Sequence, residues 1–337
     1  MPKTQLEEET ELIAYLREAF KVELELYPDS NTQWNLARFC RARNHDAKKT
    51  EKMLRNYFNW RRTKNIQAIS AMPLDVFQPL IDAHETGLYG ATRDGRPIVI
   101  ERLGVSNVKV LLDPKYDSIR EDYMLRLYEG IFTIVFPIAS KTVGRRVDQL
   151  FIIYDVQGVN ISKIFDAKFK KFMKFMIATV QDYYPEILGK LFIVNASLMI
   201  KSAWTVVRPW LDKKTRDKIE LHSGVPLEAL SKYVDVSSLP TFLGGQNTTP
   251  LKENSGPWKE HVDRAFQRKT FILEDRSPEF EYFYTEEEKQ AALKRIEQGN
   301  FYSGGTGKEK PASNDGYHDV YAKEVKVMES RLINHVK

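Results

Sequence analysis

Apolar residues recur at helical spacing along residues 5–27, where Leu12, Ile13, Leu16 and Phe20 share one face. Ser30-Asn31-Thr32 offers capping side chains for a second helix from Gln33 to Arg43, and Asp46 offers one for a third. The third helix carries Met53, Leu54, Tyr57 and Phe58 as its apolar stripe, so the segment reads as a small helical bundle. From residue 87 the period shortens. Residues 87–93 and 98–103 are strand-like and flank Asp94-Gly95-Arg96-Pro97, a turn signal. Residues 116–137 predict a helix. Residues 150–154 (LFIIY) form a continuous apolar run of the kind buried on both faces of a parallel sheet.

Residues 164–183 predict a strongly amphipathic helix, with Phe165, Phe169, Phe172, Met173, Met176, Ile177 and Val180 at helical spacing. Residues 191–194 are the next apolar strand. Strand, helix, strand at this spacing is a βαβ unit, hence a parallel pair joined by a crossover. Residues 198–211 are helical and apolar, with no comparably strong strand directly after them. Residues 226–233 predict a short helix, and Leu239-Pro240 and Gly244-Gly245 mark a turn. Beyond 251 the pattern turns polar. A polar helix is expected at 286–298, a disordered Gly/Ser/Lys/Pro-rich stretch at 303–316 and a last helix at 320–336. The division expected is a helical subdomain at 1–75, an α/β domain at 76–250 and an extension at 251–337.

Composition narrows the function classes. Of the 337 residues 42% are hydrophobic and 29% charged, which reads as a soluble globular chain. No run approaches the ~18 apolar residues of a membrane helix. The start of the chain lacks the apolar core of a secretory signal. Cys40 is the single cysteine, which rules out an internal disulfide framework and fits a reducing cytosol. The net charge of +5 is mild. It lacks the basic clustering and stacking aromatics that nucleic acid would want. It serves solubility, or a weak pull toward an anionic membrane surface.

Familiar catalytic and metal motifs are missing. There is no G-x-S-x-G nucleophile elbow. Gly304-Gly305-Thr306-Gly307-Lys308 fails as a phosphate loop, because Glu309 stands where Ser/Thr is needed and Tyr302 where the first glycine belongs. The six histidines show no metal-ligand spacing.

Several short motifs then occur in order. They are Leu36-Ala37-Arg38-Phe39-Cys40-Arg41-Ala42-Arg43 with Asp46 and Trp60-Arg61, and Asp94-Gly95-Arg96-Pro97. Asp155-Val156-Gln157-Gly158 follows, then Tyr183-Tyr184-Pro185-Glu186 with Gly189-Lys190 and Asn195-Ala196. Leu211-Asp212 with Thr215 and Lys218, Leu239-Pro240 with Phe242-Leu243-Gly244-Gly245, and Gly256-Pro257-Trp258 complete the series. The ordered set, over residues 33–258, resembles the Sec14-like (CRAL-TRIO) family of phosphatidylinositol-transfer proteins. The resemblance implies an α/β fold with an N-terminal helical bundle and a lipid-binding domain. That domain would hold a mainly parallel sheet, with a helical gate within 197–220 over a hydrophobic pocket. Ile200, Ala203, Trp204, Val206 and Val207 would line the gate.

By the same resemblance Arg43, Thr215 and Lys218 contact the phosphate and inositol of a bound lipid, and Glu186 accepts from inositol hydroxyls. On residue type alone Glu186 also fits a turn cap or a partner for Lys190, and Arg43 and Lys218 also fit solvated charges, although all of them would have to coincide. Leu150 and Ile152 stand where phosphatidylcholine-binding members carry Ser and Thr. Leu88 and Val99 align with two tyrosines of those members, so choline-lipid binding is expected to be weak. Asn44 stands in place of a frequent Lys, and Ser197 in place of a frequent Pro. The implied activity is not enzymatic and needs no cofactor beyond the bound phospholipid. It is that of a monomeric cytoplasmic carrier in transient contact with membranes, possible lipid kinases being its partners. Two alternatives stay open: a carrier of an apolar lipid such as a sterol or tocopherol, and a lipid sensor whose 260–337 tail recruits a partner.

Overall fold

The computed structural model describes residues 5–27, 30–72, 74–160, 166–253, 256 and 259. The expected helices at 286–298 and 320–336, the stretch 303–316, and Pro257-Trp258 lie outside the described residues. The described chain falls into two compact units. One is drawn from Met1–Leu74 with Met124–Thr133, the other from Asp75–Tyr123 with Ile134–Arg264.

The first unit is helical. Helices Gln5–Ala19 and Lys21–Leu26 are separated at Phe20, where the continuous helix expected over 5–27 breaks. Their apolar stripe, Leu12, Ile13, Leu16 and Phe20, is buried. Thr32 caps helix Gln33–Ala42 by accepting from the Asn35 amide at 3.1 Å. Asp46 caps helix Ala47–Lys64 by accepting from Lys49 at 3.0 Å. That helix stops at Asn65, which adopts the left-handed conformation at φ 50°. Met53, Leu54, Tyr57 and Phe58 are buried as the spacing requires. Cys40 is buried too, and burial pushes its thiol pKa up to about 12, so it is chemically quiet.

A buried ionic network runs through this unit. Arg61 grips Glu129 with two parallel bonds of 3.1 Å, from Nη1 to Oε1 and from Nη2 to Oε2. Arg61 also donates to the Tyr57 hydroxyl at 3.0 Å, and Ser70 donates to Glu129 at 3.2 Å. Glu129 belongs to helix Asp117–Gly130, which passes through a wide π-turn at Ile131–Val135 into helix Phe136–Val143. A single helix was expected at 116–137. Pro137 explains the difference: it has no N–H to donate to the carbonyl four residues back, and the widened turn makes room for its ring.

The second unit is built on a five-stranded sheet in the order β1-β2-β3-β4-β5. The strands are β1 Thr86–Ala91, β2 Pro97–Arg102, β3 Leu150–Asp155, β4 Leu188–Val194 and β5 Ile219–Leu221. Only the β1–β2 hairpin is antiparallel. β5 was missed by the pattern, because three residues with Glu220 at their centre offer no periodicity. Consecutive parallel order with right-handed crossovers places the connections 166–183 and 198–217 on one face. The opposite face is sealed. Ile98, Ile100, Phe151, Ile153, Phe192 and Val194 pack there against Leu230, Val234, Leu239, Leu243 and Leu251.

Gly244-Gly245 makes that seal possible. Gly244 turns left-handed at φ 80°, and a Cβ on Gly245 would lie 1.9 Å from the Leu239 carbonyl oxygen. Gly245→Ala is therefore expected to lower stability by about 1–3 kcal/mol, read as a lower urea midpoint with unchanged m.

Candidate functional site

The other face of the sheet is apolar but incompletely covered. Register places Leu88 opposite Val99, Val99 beside Ile152, Ile152 beside Leu191 and Leu191 beside Ile219, one row across all five strands. The next row is Thr86, Glu101, Tyr154, Ile193 and Leu221. Leu88, Val99, Ile152, Tyr154, Ile219 and Leu221 are only half-buried, although their neighbours on the sealed face are fully buried. Leu150, at the start of β3, is buried.

Two helices over connections 166–183 and 198–217 repeat this pattern. Asp166 caps helix Ala167–Tyr183 by accepting from the amides of Lys168 and Phe169. Its Phe169, Phe172, Met173, Met176, Ile177 and Val180 are all half-buried, so an apolar helix face lies only partly covered. Phe165 lies outside the described residues. Ser197 caps helix Leu198–Val207 by accepting from Ile200, which gives the replacement of proline there a structural purpose. Ile200 and Ala203 are buried, and Ile200 and Trp204 join Leu191, Ile193, Ile152 and Tyr154 in one cluster. Val207 is half-buried. The same helix turns Leu198, Met199 and Val206 outward, at 81%, 61% and 40% exposure.

Polar groups gather at the end of this face. Lys218 Nζ donates to Glu186 Oε2 at 3.1 Å, with both side chains half-buried. Glu186 sits at φ +60°, an uncommon conformation for a residue with a Cβ, held between the buried Tyr184, Pro185 and Ile187. Thr215 lies on the short helix Lys213–Asp217 just before Lys218, and its hydroxyl donates to Asp212 at 2.6 Å. It therefore offers lone pairs rather than a proton to any further partner. Arg43 belongs to the first unit, where it closes helix Gln33–Ala42 and donates to the Ala42 carbonyl at 3.1 Å. The structure thus joins Glu186 and Lys218 directly and sets Thr215 three residues before Lys218 in the chain.

The backbone at Glu186 is itself testable. Glu186→Gly removes the Cβ that makes this conformation costly but also the ion pair with Lys218, so the two effects are expected to offset each other to within about 1 kcal/mol, whereas Glu186→Ala, which loses the pair and keeps the Cβ, is expected to be the less stable of the two. Thermal melting of the two variants checks the order.

The comparisons with known proteins fit this geometry. A family profile described as the CRAL/TRIO domain matches residues 84–245. The phosphatidylinositol/phosphatidylcholine transfer protein SFH11 of Arabidopsis thaliana is 30% identical over 253 residues, covering 72% of this chain and 67% of that protein.

The chain belongs to the Sec14-like CRAL-TRIO family.

Arabidopsis SFH7, also named a phosphatidylinositol/phosphatidylcholine transfer protein, is 30% identical over 231 residues, 67% of this chain and 42% of that protein. The chain thus spans less than half the length of some relatives it matches. The crystal structure of Sfh5 superposes with a TM-score of 0.57 at 16% identity, over 78% of this chain and 98% of that one, and shares the fold.

Several of the motifs that carried the CRAL-TRIO resemblance turn out to be structural. The buried Asp155 carboxylate accepts from Asn195 Nδ2 at 2.9 Å and from the Gln157 amide at 3.0 Å, so Asp-x-x-Gly and Asn-Ala pin the ends of β3 and β4 together. Lys190 pairs with Glu220 at 2.6 Å, not with Glu186 as residue type allowed. Glu220 also bonds His222 at 3.0 Å, and the Lys190 hydrogen bond holds its carboxyl below the usual range. Sequence reasoning missed this cluster because Glu220 lies in the unrecognised β5. Among the described residues no helix is long and apolar enough to cross a membrane.

Proposed function

We propose that the chain is a lipid-transfer protein that shields a phosphatidylinositol molecule against the half-covered sheet face and exchanges it with membranes. The observation that carries this reading is the Glu186–Lys218 pair at the end of an apolar face. Two acyl chains of ~30 methylenes gain roughly 24 kcal/mol on leaving water, at ~0.8 per CH₂. A bilayer already provides that gain, so transfer between bilayer and protein is nearly balanced. The head group then decides selectivity. Its phosphodiester gives Lys218 a replacement anion, and the inositol hydroxyls give Glu186 replacement donors. Until that exchange each charge satisfies the other, which limits the penalty of holding two ions half-buried. Such a carrier would work from the cytoplasm without catalysis and could present its lipid to lipid kinases. Mass spectrometry of lipid co-purified with the full chain tests the reading. Phosphatidylinositol is expected, and a sterol or tocopherol alone would replace it with the apolar-carrier alternative.

Choline lipid is expected to bind weakly. Leu88, Val99 and Ile152 sit side by side in one aliphatic row, and none of these three side chains can donate to a phosphate pressed against it. Leu150→Ser with Ile152→Thr is expected to introduce measurable phosphatidylcholine transfer between vesicles. Robust choline-lipid transfer by the unmodified chain would contradict the argument.

A further inference from the structure

The open sheet face is polar at one corner. Strand alternation turns Thr86, Glu101 and Tyr154 toward that face, and register sets Thr86 opposite Glu101 and Glu101 beside Tyr154. All three residues are half-buried, and Tyr154 packs in the same cluster as Ile152 and Ile193. A carboxylate beside the row Leu88, Val99 and Ile152 is costly unless a counter-ion reaches it. It is also far from the Glu186–Lys218 pair in the sheet. Glu186 and Lys218 come just before β4 and β5, where the parallel strands start, whereas Glu101 lies where β2 finishes.

Among the described residues the one partner of the Glu101 carboxylate is His84, whose Nε2 lies 3.4 Å from Oε2, a long and weak contact. His84 closes helix Gln78–Ala83 and is buried, and its Nδ1 lies 3.2 Å from the hydroxyl of Tyr123 on helix Asp117–Gly130. Burial pushes the Tyr123 pKa up, so the phenol keeps its proton and can donate it to Nδ1. The imidazole proton then sits on Nε2 and faces Glu101, which gives the carboxylate a hydrogen bond without cancelling its charge. The nearby cations are engaged elsewhere. Arg102, on the opposite side of β2, lies 3.6 Å from Asp155 and 4.1 Å from the centre of the Phe242 ring. Lys252 reaches Glu85 at 3.7 Å. Glu101 Oε1 and the Thr86 hydroxyl have no partner among the described residues.

We propose that Thr86, Glu101 and Tyr154 form a second polar subsite on the open face, which takes the protonated nitrogen of a long-chain amine that carries no phosphate. The ammonium donates to Glu101 and lies against the Tyr154 ring, and a hydroxyl on a neighbouring carbon bonds Thr86. Charge selects the amine over a neutral alcohol, because only a cation offsets the carboxylate. A phosphate is rejected twice: it meets the Glu101 charge on one side and the aliphatic Leu88, Val99 and Ile152, which cannot donate, on the other. The inference rests on the lipid-carrier reading and adds to it a second class of ligand.

Equilibrium binding of radiolabelled sphingosine, a long-chain amino alcohol, to the full chain below micellar concentration tests it. N-acetylsphingosine, which lacks the charge, and sphingosine 1-phosphate, which adds a phosphate, are the comparisons. Sphingosine is expected to bind at least about tenfold more tightly than either, since a charge-assisted hydrogen bond is roughly twice as strong as a neutral one. Glu101→Gln should bring sphingosine within about threefold of its N-acetyl form. Glu85→Gln, which removes the carboxylate already paired with Lys252, should keep the preference. Equal binding of sphingosine and N-acetylsphingosine by the unmodified chain would overturn the proposal, as would a preference that survives Glu101→Gln in folded protein. The three-lipid comparison needs no variant, so it decides the matter even where Glu101→Gln fails to fold. Phosphatidylinositol occupancy of the unmodified chain, measured by mass spectrometry, keeps the two readings apart. A chain that holds phosphatidylinositol but shows no preference for the amine loses the subsite and remains a carrier. A chain that holds neither lipid loses both.

Discussion

Glu186→Lys combined with Lys218→Ala is expected to reduce phosphatidylinositol transfer between vesicles by about two orders of magnitude or more. A hydrogen bond to a charged group contributes about 1.5–3 kcal/mol, and the double variant would remove the two such contacts that the proposed phosphatidylinositol site makes. It also places a cation where inositol hydroxyls need an acceptor. The folded state should survive, because a partly exposed ion pair contributes at most about 1 kcal/mol. Glu and Lys also impose the same demand on the left-handed backbone at position 186. Transfer of labelled phosphatidylinositol, paired with a melting curve, separates lost binding from lost structure. Undiminished transfer by the folded variant would end the phosphatidylinositol assignment. A carrier of apolar lipid would be indifferent to these substitutions.

Glu129→Ala is expected to destabilise the chain by about 3–5 kcal/mol, because it leaves the Arg61 guanidinium charged and buried without its acid. The two side chains are 3% and 5% exposed, so water cannot take the place of the carboxylate. Arg61→Met added to Glu129→Ala should recover part of the loss, since it removes the unpaired buried charge while the shortened side chain at 129 still leaves a cavity. Urea midpoints of the unmodified chain, each single variant and the double variant give the coupling directly. A Glu129→Ala variant within 1 kcal/mol of the parent would show that the pair is structurally idle. The pair ties Met124–Thr133 to helices far away in sequence, so its loss should also loosen the segment around the π-turn.

Much of the fold could be read from the sequence wherever a pattern is long. The stripe Leu12, Ile13, Leu16 and Phe20, the cap Asp46 and the run LFIIY each commit several residues to one geometry. The reading failed where geometry depends on one residue or a distant partner. Pro137 alone widens a helix into a π-turn, and β5 is three residues held by its neighbour β4. Glu129 and Arg61 stand 68 residues apart, and no periodicity links them. At the site, Glu186, Thr215 and Lys218 were named from resemblance. That Glu186 and Lys218 bond each other, and that Asp212 claims the Thr215 proton, emerged only from the folded chain. The row Leu88, Val99, Ile152 likewise needed the strand register to appear as one surface.

A sheet finished on one side and half-finished on the other has a thermodynamic corollary. The sealed side is completed by the chain's own residues 225–251, whereas on the lipid-carrier reading proposed above the open side would gain its last layer from the bound lipid. Cargo then acts as part of the hydrophobic core, and folding and loading become linked equilibria. The heat resistance of such a molecule is a property of the surrounding lipid pool as much as of its own sequence.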